Sequence, residues 1–125
     1  MADTDVGYGG VTSHELPADM LSFVTTKLDS FVKWDVLRFL KDNPHAADTA
    51  AGLARCVGRQ PEVVGPELEE MAEDGLLRMR EVGGLTVFTL TQESATRDLI
   101  WRFLEKCEDR RFRLRVVFHV ARNAR

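Results

Sequence analysis

The sequence predicts a mostly helical α+β domain: a three-helix core closed by a two-stranded β-hairpin, with further helices at both ends. Three observations carry this prediction. Apolar residues recur at three- and four-residue spacings in several separate stretches. Gly58 and Pro61 separate two short helical stretches by the length of a tight turn. Gly83-Gly84 divides LLRMREV from LTVFTLT, two alternating segments that read as paired strands.

Residues 1–15 are rich in Gly, Asp, Ser and Thr, offer little to bury, and read as a flexible tail. Pro17 suits a first helical position. Met20, Leu21, Val24, Leu28 and Phe31 then form the stripe of an amphipathic helix. Ser30 can cap a second helix, SFVKWDVLRFLKDN, or the chain continues as one bent helix. Phe31, Trp34, Leu37 and Leu40 line one side, and Val32, Val36 and Phe39 widen it enough to suggest burial on two sides. Asn43-Pro44 ends it, because proline drives the preceding residue out of the helical region.

Asp48 or Thr49 can cap TAAGLARCV, with Ala50, Leu53, Ala54 and Val57 facing inward and Gly58 closing the helix. Pro61 opens the next helix, whose stripe is Val64, Leu68, Met71 and Ala72 and whose stop is Gly75. After the hairpin, Thr91 to Ser94 supply caps for a helix carrying Leu99, Ile100, Phe103, Leu104 and Cys107. The remainder, RRFRLRVVFHVARNAR, fits two periods. Strand alternation opposes Phe112, Leu114, Val116, Phe118 and Val120 to Arg111, Arg113, Arg115 and His119. Helical period gathers Arg111, Arg115, His119, Arg122 and Arg125 on about a third of the circumference, leaving Phe112, Leu114, Val116, Val117 and Val120 for the rest. The absence of a Gly or Pro break, with Ala121 and Ala124, favours the helix.

The order of three helices and a hairpin over roughly residues 31–91 resembles the winged helix-turn-helix family. VLRFL, TAAGLARCVG, PEVVGPELEEMAEDGLL and LLRMREVGGLTVFTLT carry the likeness. It implies a core with its third helix exposed on one side. Many members are bacterial and archaeal transcription regulators, and others are protein-interaction modules. Extra helices at both ends commonly build a two-fold dimer in that family, so the resemblance implies a homodimer. The predicted organisation is a tail (1–15), an N-terminal helix with the winged domain (16–91), and a basic extension (92–125) that can serve dimerisation. The apolar C-terminal helix must pack on the domain body, on the N-terminal helix, or on another chain.

In DNA-binding relatives the third helix enters the major groove with Ser, Thr, Arg, Lys, Gln or His facing outward. Here the outward positions are Gln60, Glu62, Val63, Gly65, Pro66, Glu67, Glu69 and Glu70. Four glutamates would face about one negative charge per 1.7 Å of groove. Arg59, at the turn, is the only cation close by, and Gly65-Pro66 removes one hydrogen bond in mid-helix. This surface, through Gln60, Glu62, Val63, Glu67, Glu69 and Glu70, is therefore predicted to meet a protein. Nucleic acid or an acidic partner would instead be met by Arg59, Arg78, Arg80, Arg111, Arg115, Arg122 and Arg125. Arg78 and Arg80 share one face of a strand, and the hairpin tip itself is uncharged.

Charge is unevenly spread, which bears on partners. Residues 1–30 hold one basic and five acidic residues, residues 31–91 seven and ten, and residues 92–125 nine and five, giving −4, −3 and +4. A composition 44% hydrophobic and 30% charged excludes both a disordered chain and a membrane protein. No apolar run reaches the roughly 20 residues that span a bilayer, and MADTDVGYGGVTSHE lacks the basic and apolar regions expected of a signal peptide. Cys56 and Cys107 lack ligand spacing and read as buried free thiols in a reducing cytoplasm. His14, His45 and His119 are scattered, phosphate-binding and nucleophile motifs are missing, and neither metal nor cofactor is expected. The expectation is a non-enzyme.

Overall fold

The computed structural model describes residues 16–123; the predicted tail, His14 and Arg125 lie outside them. Six helices and a small sheet follow one another as α1 (Ala18–Thr26), α2 (Phe31–Asp42), β1 (Ala47–Asp48), α3 (Ala50–Val57), α4 (Pro61–Glu73), β2 (Leu77–Val82), β3 (Leu85–Leu90), α5 (Ser94–Lys106) and α6 (Arg110–Asn123).

Local chemistry sets the boundaries. Pro17 is the residue before α1, one position earlier than its rigid φ suggested. Lys27 and Leu28 both donate to the Phe23 carbonyl and end α1. Ser30 then starts a separate helix, its hydroxyl accepting from Lys33 N–H at 3.2 Å. Thr49 caps α3 by accepting from Gly52 N–H at 3.1 Å. Gly58 closes α3 at φ 73°, a left-handed conformation that a side chain would strain. Glu93 caps α5 through Thr96, and these hydrogen bonds, from the Thr96 hydroxyl and its N–H, hold its carboxyl below the usual range. Asp109 accepts from Phe112 N–H at 3.3 Å, which separates α6 from α5 where the sequence offers no Gly or Pro.

The sheet has three antiparallel strands in the order β1-β3-β2, one more than the predicted hairpin. β2 and β3 run in register from Leu77↔Leu90 to Val82↔Leu85, joined at Gly83 (φ 58°) and Gly84 (φ 81°). Two consecutive positive φ values suit the twist of a hairpin, and glycine supplies both without strain. β1 is two residues long, paired as Ala47↔Thr89 and Asp48↔Phe88, too short to leave a periodic signal. Pro66 does not break α4, which runs unbroken for 13 residues.

One hydrophobic core joins all the helices. Phe103 sits at its centre: its ring lies 5.2 Å from Phe23 of α1, 6.2 Å from Trp34 of α2 and 6.1 Å from Phe112 of α6. The ambiguous basic segment is thus a helix, with Phe112, Val116 and Val120 buried and α6 packed on α1 within the same chain. Four sequence assignments change. Phe23, not Leu21, completes the buried face of α1. Phe31 lies at the edge of the core. Leu114 and Val117, which helical period placed on the apolar side, stay exposed at 52% and 37%, because α6 buries only the narrow stripe of Phe112, Val116 and Val120. Cys56 is exposed and only Cys107 is buried, since α3 turns inward on Leu53 and Ala54.

Candidate interaction surface

Glu62, Pro66, Glu69 and Glu73 recur at i, i+4, i+7 and i+11, which places them on one stripe of α4, and all four are exposed. Val63 lies beside the stripe, 48% exposed, and Gln60 stands at the helix start. The stripe is acidic with a short apolar edge. No residue of the stripe itself is basic, and Arg78 of β2 stands beside Glu69 and Glu73 in a cleft between α4 and the wing. Arg59 at the foot of the stripe donates from Nε and Nη2 to one oxygen of Asp35, at 2.9 and 2.8 Å, and is thereby turned towards α2.

The other two predicted glutamates point elsewhere. Glu67 accepts a hydrogen bond from the Ser30 hydroxyl, the same group that caps α2. Glu70 accepts from Lys33 Nζ at 2.7 Å, and Asp29 accepts from the same ammonium at 2.6 Å. The Lys33 side chain is 1% exposed. Burial alone would lower its pKa, but the hydrogen bonds and charges of Asp29 and Glu70 outweigh that and hold it above 10.5. Glu67 and Glu70, one turn apart, therefore clasp α4 to the start of α2 and are half-buried rather than outward-facing. Sequence reasoning missed Lys33. The signal existed: Lys33 lies four residues before Leu37 and seven before Leu40, within the buried stripe itself.

The predicted basic residues divide into two groups. Arg78 and Arg80 lie on the outer face of the sheet, opposite Thr89 and Val87. They line a shallow cleft with His45 and Arg97 in which no acidic residue takes part. Arg97 joins them from α5, where its guanidinium stacks 5.5 Å over Trp101; its arrival depends on tertiary packing and left no sequence signal. On α6, Arg111 and Arg122 are exposed and Arg115 is half-buried. Arg122 lies 5.5 Å over the Phe118 ring, on the far side of the helix from its buried stripe. Among the described residues no group of three or more His, Cys, Asp or Glu could hold a metal ion, and no helix is long and apolar enough to cross a membrane.

No protein-family model matches the sequence, and no curated protein is similar to it in sequence. Solved structures are similar in fold. A homodimeric winged helix-turn-helix DNA-binding domain from Mycobacterium bovis, described as a possible ArsR-family transcriptional regulator, superposes with TM-score 0.55 at 17% identity, over 72% of this chain and 81% of that one. The chain folds as a winged helix-turn-helix. The AntR antimony-specific transcriptional repressor gives TM-score 0.53 at 20% identity, over 73% and 82%. A possible transcriptional regulator from Methanosarcina mazei Go1 gives 0.52 at 12% identity, over 76% and 82%. In winged helix-turn-helix terms, α3 and α4 flank the turn, β2 and β3 form the wing, and α1, α5 and α6 are additions to the α2–α4 core.

Proposed function

We propose that this winged helix-turn-helix is a non-enzymatic regulatory module that works by protein–protein contact, with α4 meeting a protein rather than a DNA groove. One observation carries the reading: the exposed stripe of α4 is acidic with no basic residue of its own, and Arg59 at its foot is held by Asp35. Inserted in a major groove, Glu62, Glu69 and Glu73 would stand among phosphates with only Arg78 of the wing beside the last two. Against a basic protein surface the same stripe is complementary, and Val63 and Pro66 add apolar contact. Self-association is part of the proposal. It is supported by the homodimeric state of the Mycobacterium bovis domain and by the exposed Phe31, Leu114 and Val117.

A second reading has its own support. The acid-free cleft of Arg78, Arg80 and Arg97 could meet DNA phosphates from the wing, with the arginines of α6 extending the contact. Titration of random-sequence duplex DNA at about 50 mM salt, where phosphate contacts are strongest, separates the two. The protein-contact reading expects no binding, and loss of the protein's partner in pull-down when Glu62 and Glu69 become Lys. DNA binding that falls steeply with salt and disappears in R78E/R80E would establish the second reading instead.

A further inference from the structure

A cleft of about 470 Å³ opens where the end of α2 meets the corner between α5 and α6. That is within the roughly 300–1,000 Å³ of small-molecule sites. Trp34, Leu104 and Cys107 give it an apolar floor, and Arg38, Lys41 and Arg113 stand around it. Burial pushes the Cys107 thiol up to about 12, against the opposing pull of Arg113, Arg38 and Lys41. The thiol is therefore neutral at ordinary pH, and all three cations bear on the same floor.

The hydrogen-bonding character of the walls is one-sided. Arg, Lys and the indole N–H are donors without acceptor capacity. Trp34 is 6% exposed, and its Nε1 is enclosed with no acceptor among the described residues, although buried polar groups are nearly always paired. Arg113 is held in place by donating from Nη1 to the Cys107 carbonyl at 2.8 Å. Among the described residues Arg38 and Lys41 have only long ion pairs, to Asp35 at 3.7 Å and to Glu108 at 3.8 Å, and the Glu108 side chain is 78% exposed. Asp42 is the other carboxylate on the rim. Donors thus outnumber acceptors around an apolar floor.

We propose that this cleft binds a small amphipathic carboxylate, its flat apolar body on Trp34 and Leu104 and its carboxylate received by Arg38, Lys41 and Arg113. The occupied site bridges α2 of the winged core to the α5–α6 corner. The inference is independent of what α4 contacts.

The experiment uses the full chain with Trp101→Phe, which leaves Trp34 as the single indole. Phenylacetate, added to about 10 mM, should change Trp34 fluorescence saturably, and neutral phenylacetamide should bind about tenfold more weakly. R38Q/K41Q, both at the rim, should weaken phenylacetate about tenfold while leaving the melting temperature in place. Calorimetry on W34F, in the otherwise unchanged chain, should show weaker binding as well. Equal affinity for acid and amide, unchanged affinity in R38Q/K41Q, or no saturable signal would each overturn the proposal. R38Q/K41Q decides the matter even if W34F fails to fold.

Discussion

Lys33 is an ammonium enclosed between two helices, and its two carboxylate partners differ in exposure: the Asp29 side chain is 21% exposed and that of Glu70 42%. Removing the cation leaves both carboxylates without their shared partner. Lys33→Met should therefore cost about 1–3 kcal/mol, less than a fully buried pair because Glu70 can turn to water. Denaturant titration measures this directly. The pH dependence has a definite sign. The folded-state pKa is raised above 10.5, so the contribution is fully present below 10.5 and lost as pH climbs through the folded value. The gap between wild type and K33M should thus be constant near neutral pH and close in alkali. The two cysteines make a second residue-scale contrast. Cys56 is exposed, whereas Cys107 is buried and its thiol is pushed up to about 12. Iodoacetamide at neutral pH should modify Cys56 alone in the native protein and both thiols after unfolding, a mass shift read by spectrometry. Equal labelling of both in native conditions would contradict the packing of the α5–α6 corner.

At the scale of elements, α4 carries two kinds of glutamate that composition cannot tell apart. Glu62 and Glu69 lie on the exposed stripe, whereas Glu67 and Glu70 reach Ser30 and Lys33. E62K/E69K should leave the unfolding midpoint nearly unchanged, within about 0.5 kcal/mol per site. E67K/E70K places two cations against Lys33 and should destabilise by about 2 kcal/mol or more. Thermal denaturation of the two double variants tests this, and equal loss in both would mean the clasp contributes nothing. These elements also show what the sequence made legible. The ends of α2, α3 and α4 were readable because Ser30, Thr49, Gly58 and Pro61 act on their own neighbourhood. The turn at Gly83-Gly84 was readable for the same reason. β1 was not, because two residues carry no period and its pairing with β3 is non-local. The acidic stripe was visible as charge, but the division of α4 into stripe and clasp required the position of α2. Likewise Arg78 and Arg80 were legible as neighbours on a strand, whereas Arg97 and His45 reach them only through the folded chain.

At the scale of the whole molecule, α1 and α6 pack together and both meet Phe103, so the two helical additions and the core share one interior. α6 spends its buried stripe inside the chain, yet keeps Leu114 and Val117 exposed near Phe31 and Trp34. Exposed apolar residues in one cluster mark a contact surface more often than isolated ones do. If self-association uses this patch, Leu114→Glu should convert a dimer to a monomer in sedimentation at micromolar concentration, with the melting temperature of the monomer unit preserved. A wild-type chain that sediments as a monomer across the same range would remove the dimer from the proposal.

The Lys33 clasp also constrains how this chain can change over time. Asp29, Lys33 and Glu70 are a charge triad in which losing Lys33 leaves two carboxylates without their cation, whereas losing either carboxylate leaves one ion pair intact, so their effects on stability are coupled rather than additive. Replacing Lys33 by an apolar residue becomes nearly neutral only after positions 29 and 70 have lost their charge. Among sequences descended from a common ancestor, these three positions should therefore co-vary as a set, while Glu62 and Glu69 drift independently of them.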